Sequence, residues 1–249
     1  MFERGGPFLY DWRLPDGEVL PILHPDLALA QRTVRELIES DVRAALAAAG
    51  PDARALDMAC NEGWWSHRLL EWGAARVLGV EARPETVERA RELREAFGIV
   101  AAALDLRIGD ATALDPGEAG RFDVVLCLGL LYHLEDPIGA LRRARALCRP
   151  GGLLVLETQT ARLDEPIAHA WGSADEATET AAAGFAVRWE REAENPLASI
   201  DGVVSLIPNR AAVELALAAA GFGEMRFPEP AADHAAGFRS GDRLVALAS

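Results

Sequence analysis

The sequence predicts an α/β fold: a mostly parallel sheet with helices on both faces. Three observations carry this. A short apolar strand around Ala55-Leu56-Asp57-Met58 turns tightly through Ala59-Cys60-Asn61-Glu62-Gly63 into a helix. Apolar strand-like runs then alternate with charged helix-like runs as far as residue 157, the rhythm of parallel strands joined by crossover helices. One run, Phe122 to Leu126, is nearly continuous in apolar residues, as a strand covered on both faces must be.

Taken in order, residues 1–25 form a non-repetitive arm holding Phe8, Tyr10, Trp12, Pro15, Pro21 and Pro25, with Asp16-Gly17 as the turn signal of a short hairpin. Aromatics at a chain end serve equally as packing against the sheet or as a lid over a site, so both readings stand. Residues 26–49 read as a helix, with Asp26 as its cap and Leu27, Ala30, Val34, Leu37 and Ile38 at helical spacing. Gly50-Pro51 ends it. After the central turn, a helix carries Trp65, Leu69, Leu70 and Trp72 and stops at Gly73. Arg76 to Val80 is the second strand, Pro84 to Phe97 a helix with a solvated charged face, and Leu104 to Ile108 a third strand. The fourth strand, Phe122 to Leu126, leads into Gly129-Leu130-Leu131-Tyr132-His133. A helix over 138–148, a Pro150-Gly151-Gly152 turn and a fifth strand to Glu157 follow. Residues 158–208 break this rhythm and are too long for an ordinary connection. A helix over 210–220 and two closing antiparallel segments, 225–227 and 244–247, complete the chain. We read one domain: arm and helix (1–50), cofactor-binding core (51–157), substrate-lid insertion (158–208), closing helix and strands (209–249).

Of the 249 residues, 39 are acidic and 25 basic, a formal charge of −14. That disfavours broad capture of nucleic acid. No apolar run is long enough to span a bilayer, and the first residues lack a secretory plan; a cytoplasmic protein is expected. Cys60, Cys127 and Cys148 all sit in apolar contexts and read as buried reduced thiols, with neither disulfide nor metal.

In open α/β sheets ligands bind beyond the carboxyl ends of the strands. The amides of the 59–63 turn and the helix behind it suit a polar cofactor. Glu81, about 20 residues past that turn, is placed to accept two ribose hydroxyls. Several carboxylates near the loop suit a cationic cofactor better than a pyrophosphate.

Asp57-Met58-Ala59-Cys60-Asn61-Glu62-Gly63 resembles the first motif, D-x-G-x-G-x-G, of the class I S-adenosylmethionine-dependent methyltransferases. Ala59 and Asn61 stand where that family has glycine. Gly109-Asp110-Ala111, Phe122-Asp123-Val124-Val125 and Arg149-Pro150-Gly151-Gly152 are similar to its later motifs, in order. The resemblance implies a seven-stranded, Rossmann-like sheet with an antiparallel last strand. It implies S-adenosyl-L-methionine held by Asp57, Ala59, Asn61, Gly63, Glu81, Ala82, Asp110, Ala111, Leu128 and Gly129, with Asp110 at the adenine. The bland reading of Asp110 is an Asx-turn.

The implied activity is methylation of oxygen or nitrogen on a small molecule, in biosynthesis, without metal. A hydroxyl or amine acceptor must lose a proton, and a histidine is the natural base. His133 is the candidate; otherwise it is a helix-start histidine bonded to nearby backbone. Tyr132 either touches the reacting groups or packs. Tyr10, Trp12, Glu157, His169 and Trp171 are candidate substrate contacts. More narrowly, Gly129 to His133, Leu156-Glu157-Thr158 and Leu206-Ile207-Pro208-Asn209 are similar to the tRNA wobble-uridine enzymes that transfer a carboxymethyl group. There the tyrosine matching Tyr132 helps hold the donor's carboxylate. That activity is one alternative; a non-catalytic cofactor-binding module and a nicotinamide oxidoreductase are others.

Overall fold

The computed structural model describes residues 7–162, 183–190 and 204–249; His169 and Trp171 lie outside them. The elements of the first half are α1 (Pro25–Ala49), β1 (Arg54–Met58), α2 (Trp64–Glu71), β2 (Arg76–Glu81), α3 (Pro84–Ala96), β3 (Leu104–Ile108) and α4 (Pro116–Ala119). Then come β4 (Phe122–Leu128), a 3-10 turn (Leu131–His133), α5 (Pro137–Leu147), β5 (Cys148–Gln159), β6 (Phe185–Trp189) and β7 (Val204–Pro208). The chain closes with α6 (Arg210–Ala220), β8 (Met225–Arg226), α7 (Ala236–Arg239) and β9 (Arg243–Ala248).

Seven strands form one sheet in the order β3-β2-β1-β4-β5-β9-β8. Strands β1 to β5 pair in parallel, and β9 runs antiparallel to both β5 and β8. The strand order turns back between β1 and β4, and a ligand crevice belongs at such a point.

The sheet is buried on both faces, and the period-two alternation of side chains decides which residue goes where. From β4, Val124, Leu126 and Leu128 meet α1, α2 and α3 through Val34, Ile38, Leu69 and Val87. Val125 and Cys127 face α5 and α6 through Leu141, Leu147, Val213 and Leu217. All three cysteines are buried and free.

Two local details depart from expectation. The cap of α1 is His24, whose Nδ1 accepts from the Asp26 amide at 3.3 Å. Pro25 takes the first helical position, where its missing N–H costs nothing, so the cap falls one residue before it. In addition, β5 begins at Cys148, because Phe122 pairs with Cys148 before the register shifts at Val124.

The N-terminal arm is a hairpin strap. Leu20 N donates to Trp12 O (3.0 Å) and Leu14 N to Glu18 O (2.8 Å). Phe8, Trp12, Leu14 and Leu20 are buried. The β6–β7 hairpin stands apart from the main sheet and leans on the turn after β4, where Leu206 N donates to Leu134 O at 3.0 Å. Among the described residues, no helix is long and apolar enough to cross a membrane.

Candidate active site

A cleft of about 830 Å³ opens at the carboxyl ends of the strands. Its first wall comes from β1, β2 and β3. Between Met58 and α2 the backbone takes left-handed φ at Ala59 (+56°), Asn61 (+49°) and Gly63 (+80°). These are the three positions where the resembled motif has glycine. Asn tolerates this region, while Ala59 carries strain of about 1–2 kcal/mol. The turn is pinned from several sides. Cys60 N donates to Val80 O at 3.0 Å, Asn61 N to Glu81 Oε2 at 3.2 Å, and Glu62 N to Asn61 Oδ1 at 2.8 Å. Gly79 lets the turn lie close. A Cβ there would come within 2.8 Å of Leu106 Cδ2 and 2.9 Å of Cys60 Sγ.

Glu81 is buried at the end of β2. Its Oε1 accepts from Arg83 N at 3.0 Å, and Arg83 Nη1 lies 3.7 Å away. A carboxylate offers about four lone-pair sites, so each oxygen keeps room for a further donor. Asp110 lines the same cleft. Its Oδ1 accepts from Thr112 N (2.8 Å) and Thr112 Oγ1 (2.7 Å), which is an Asx-turn; Oδ2 has no hydrogen bond among the described residues.

The second wall comes from β4, β5, β6 and β9. His133 Nδ1 lies 2.7 Å from Glu190 Oε2, and Arg188 contacts the other oxygen of Glu190. Tyr132 stacks obliquely on His133, with ring centroids 4.2 Å apart. Arg243 clamps Glu157 bidentately, Nε to Oε1 at 2.7 Å and Nη2 to Oε2 at 3.1 Å, and Nη2 also reaches Tyr132 Oη at 3.5 Å.

Burial sets the protonation states. It pushes the His133 imidazole down to about 4, helped by the positive fields of Arg188, Arg83 and Arg243 and opposed by Glu157. The nearby Glu190 carboxylate acts in the upward direction. The ring is neutral at neutral pH, and an ionised Glu190 requires the proton on Nδ1. In that tautomer Nε2 is the unprotonated nitrogen, the one able to accept. Burial would lower Arg243, but Glu157 outweighs it and raises the guanidinium. Burial also raises the Tyr132 phenol.

The expected cofactor residues divide into two groups. Ala59, Asn61, Glu81, Ala82, Asp110, Ala111, Leu128 and Gly129 line the cleft. Asp57 and Gly63 stand behind the turn. Asp57 accepts from Ser66 Oγ at 2.7 Å, and burial lifts it to about 7; Gly63 is the cap residue just before α2. Of the expected substrate contacts, Tyr10 and Glu157 line the cleft. Trp12 packs edge-on against His67 at 5.0 Å, deep in the core. Sequence reasoning did not single out Glu190, Arg243, Arg188, Glu62 or Gln31. Glu62 is buried, accepts from Leu9 N at 3.0 Å and pairs with Arg89 at 3.2 Å, so it holds the strap against the turn. Apart from Glu62, which holds a variable position of the Asp57–Gly63 motif, none of these belongs to a local motif. The one available signal was for Glu62, a carboxylate inside an otherwise buried turn.

Residues 30–223 match the family described as "Methyltransferase domain". The ubiquinone biosynthesis O-methyltransferase of Xanthomonas campestris pv. campestris (strain B100) is 35% identical over 108 residues, 43% of this chain and 44% of that protein. The tRNA U34 carboxymethyltransferase of Saccharophagus degradans is 36% identical over 103 residues, 41% of this chain and 31% of that one. The chain thus spans less than half the length of these curated relatives. The N-terminal domain of EvdMO1, solved in the presence of SAH and D-fucose, superposes with a TM-score of 0.67 at 26% identity. That likeness covers 97% of this chain and 91% of that domain.

Proposed function

The chain belongs to the methyltransferase-domain family, and we propose that it transfers the methyl group of S-adenosylmethionine to a hydroxyl or amine of a small-molecule acceptor. One observation carries the reading. A single cleft is lined by Glu81 and Asp110 along one wall and by His133, backed by Glu190, on the other.

The first wall fits an adenosyl group by its chemistry. The buried Glu81 carboxylate has room to accept from both hydroxyls of a ribose diol, and Asp110 Oδ2 from an exocyclic amine. With Glu135, Asp136 and Glu157 added to Glu81 and Asp110, five carboxylates line the cleft against Arg83, Arg188 and Arg243, an acidic excess that favours a cationic ligand. The donor, when bound, supplies a methyl carbon already activated by positive sulfur.

The protein's own work is alignment, water exclusion and proton removal. Holding two reactants in line contributes on the order of 7–11 kcal/mol. His133 Nε2 accepts the acceptor's proton while Nδ1–H stays bonded to Glu190, which fixes the tautomer and stabilises the imidazolium that forms. Tyr132 shapes the wall beside it. The β6–β7 hairpin supplies Glu190 and so completes this side of the cleft. On that ground we assign a lid role to the described part of the insertion, residues 183–190 and 204–208.

A carboxylated donor would need an unspent cation beside Tyr132. Arg243 is the cation there, and Glu157 occupies its fork. This favours the plain donor, and the charge of −14 favours a small acceptor over tRNA.

The test is incubation with methyl-tritiated S-adenosylmethionine and separate pools of catechols, hydroxybenzoates, sugars, small amines and bulk tRNA. We expect label in at least one small-molecule pool and its loss in His133→Ala. Label in tRNA alone would overturn the reading.

A further inference from the structure

Gln31 is a buried polar side chain in the cleft whose chemistry the reading above leaves unused. It sits on α1, is 7% exposed and lines the cavity. Its Oε1 accepts from Asp11 N at 3.0 Å. That bond fixes which way the amide faces, because only the carbonyl end can accept. The Nε2 end points elsewhere and has no partner among the described residues. A buried amide N–H with nothing to bond is costly and normally satisfied, which marks Nε2 as a donor in want of an acceptor.

The location narrows the choice. Asp11, which holds Gln31, also accepts at its carbonyl from Trp64 Nε1 at 3.2 Å. Trp64 begins α2, directly after the 59–63 turn. Tyr10 stacks on Trp64 at 6.0 Å between centroids and lines the cleft too. Gln31 therefore belongs to the wall that the strap and α2 build beside the turn. If Glu81 takes the ribose and Asp110 the adenine, the donor's amino-acid tail is the polar portion still in need of partners. Its carboxylate needs donors, whereas the cleft's arginines are committed: Arg83 to Glu81, Arg188 to Glu190, Arg243 to Glu157.

We propose that the Gln31 amide, oriented by the Asp11 backbone, donates a hydrogen bond to the carboxylate of the donor's amino-acid tail. This rests on the methyltransferase reading above. The strap then acts as part of the donor site, since it aims the amide.

The test compares two ligands by calorimetry: S-adenosylhomocysteine, which has the tail, and methylthioadenosine, which lacks it. Gln31→Glu is the informative variant. It keeps an acceptor for Asp11 N and replaces the free donor with an oxygen that repels a carboxylate. We expect S-adenosylhomocysteine to bind at least 30-fold more weakly and methylthioadenosine to change less than twofold. Gln31→Leu should weaken the first ligand about tenfold and spare the second. Unchanged S-adenosylhomocysteine affinity in both variants would overturn the proposal, as would equal loss for both ligands. Wild-type protein that binds neither ligand would instead remove the donor reading itself, and this proposal with it.

Discussion

The two walls of the cleft are held by different means. The β1–β3 wall is fixed by backbone: amides of the 59–63 turn and of Arg83 close on Glu81, and a Thr112 amide closes on Asp110. The β4–β9 wall is fixed by pairs of side chains far apart in the chain, His133 with Glu190 and Glu157 with Arg243. A wall tied by its own backbone is pre-organised whatever the distant elements do. A wall tied by side-chain pairs depends on every partner arriving, and it titrates.

The predictions follow this contrast, beginning with the largest effect. His133→Ala should lower kcat by about 10²–10⁴-fold and leave S-adenosylhomocysteine affinity unchanged, because the proposed base lies on one wall and the proposed donor site on the other. In the wild type, kcat should fall as pH drops below the ordinary histidine range toward about 4, where the imidazole takes up its proton. An equally active His133→Ala enzyme would break the contrast.

Glu157→Ala strands the Arg243 guanidinium, whose side chain is only 30% exposed. Leaving one member of a buried pair alone costs about 3 kcal/mol, readable as a lowered denaturant midpoint. An unchanged midpoint would mean that the pair does not hold this wall.

Asp57 probes the rigid side. Its folded-state pKa of about 7, raised by burial, lies above the ordinary 3.8. The folded state thus binds a proton that the unfolded chain releases. The associated stability is complete below about pH 4 and lost as pH rises through 7. Asp57→Asn does not titrate, so it should gain on the wild type between pH 5 and pH 8, by on the order of 2 kcal/mol. A gap in melting temperature that ignores pH would contradict this.

The smallest effect belongs to Ala59. At a φ of +56°, Ala59→Gly should relieve strain and stabilise the fold by about 1 kcal/mol. Destabilisation would mean that the turn is not strained.

The same contrast explains what could be read from the sequence. The strand-turn-helix unit, Glu81 at the end of β2 and Asp110 after β3 are local patterns, and the family resemblance they carry implies the parallel sheet with an antiparallel last strand. The substitutions at Ala59 and Asn61 were legible as residues able to adopt a left-handed turn, and both have positive φ. The partners on the other wall were not legible. Glu190 lies 57 residues from His133 and Arg243 lies 86 from Glu157; neither carries a local signature. Trp12 shows the limit for aromatics. Its apolar ring suits a lid or a core equally, and only the strap's closure onto His67 and Phe97 decides for the core.

The central claim is that the β1–β3 wall holds an adenosyl donor through Glu81. Calorimetric titration of S-adenosylhomocysteine into wild type and Glu81→Ala tests it most directly. The account predicts one-to-one binding that weakens by about 10- to 100-fold in the variant, the worth of charge-assisted hydrogen bonds to a diol. Equal affinity in the two proteins would contradict it.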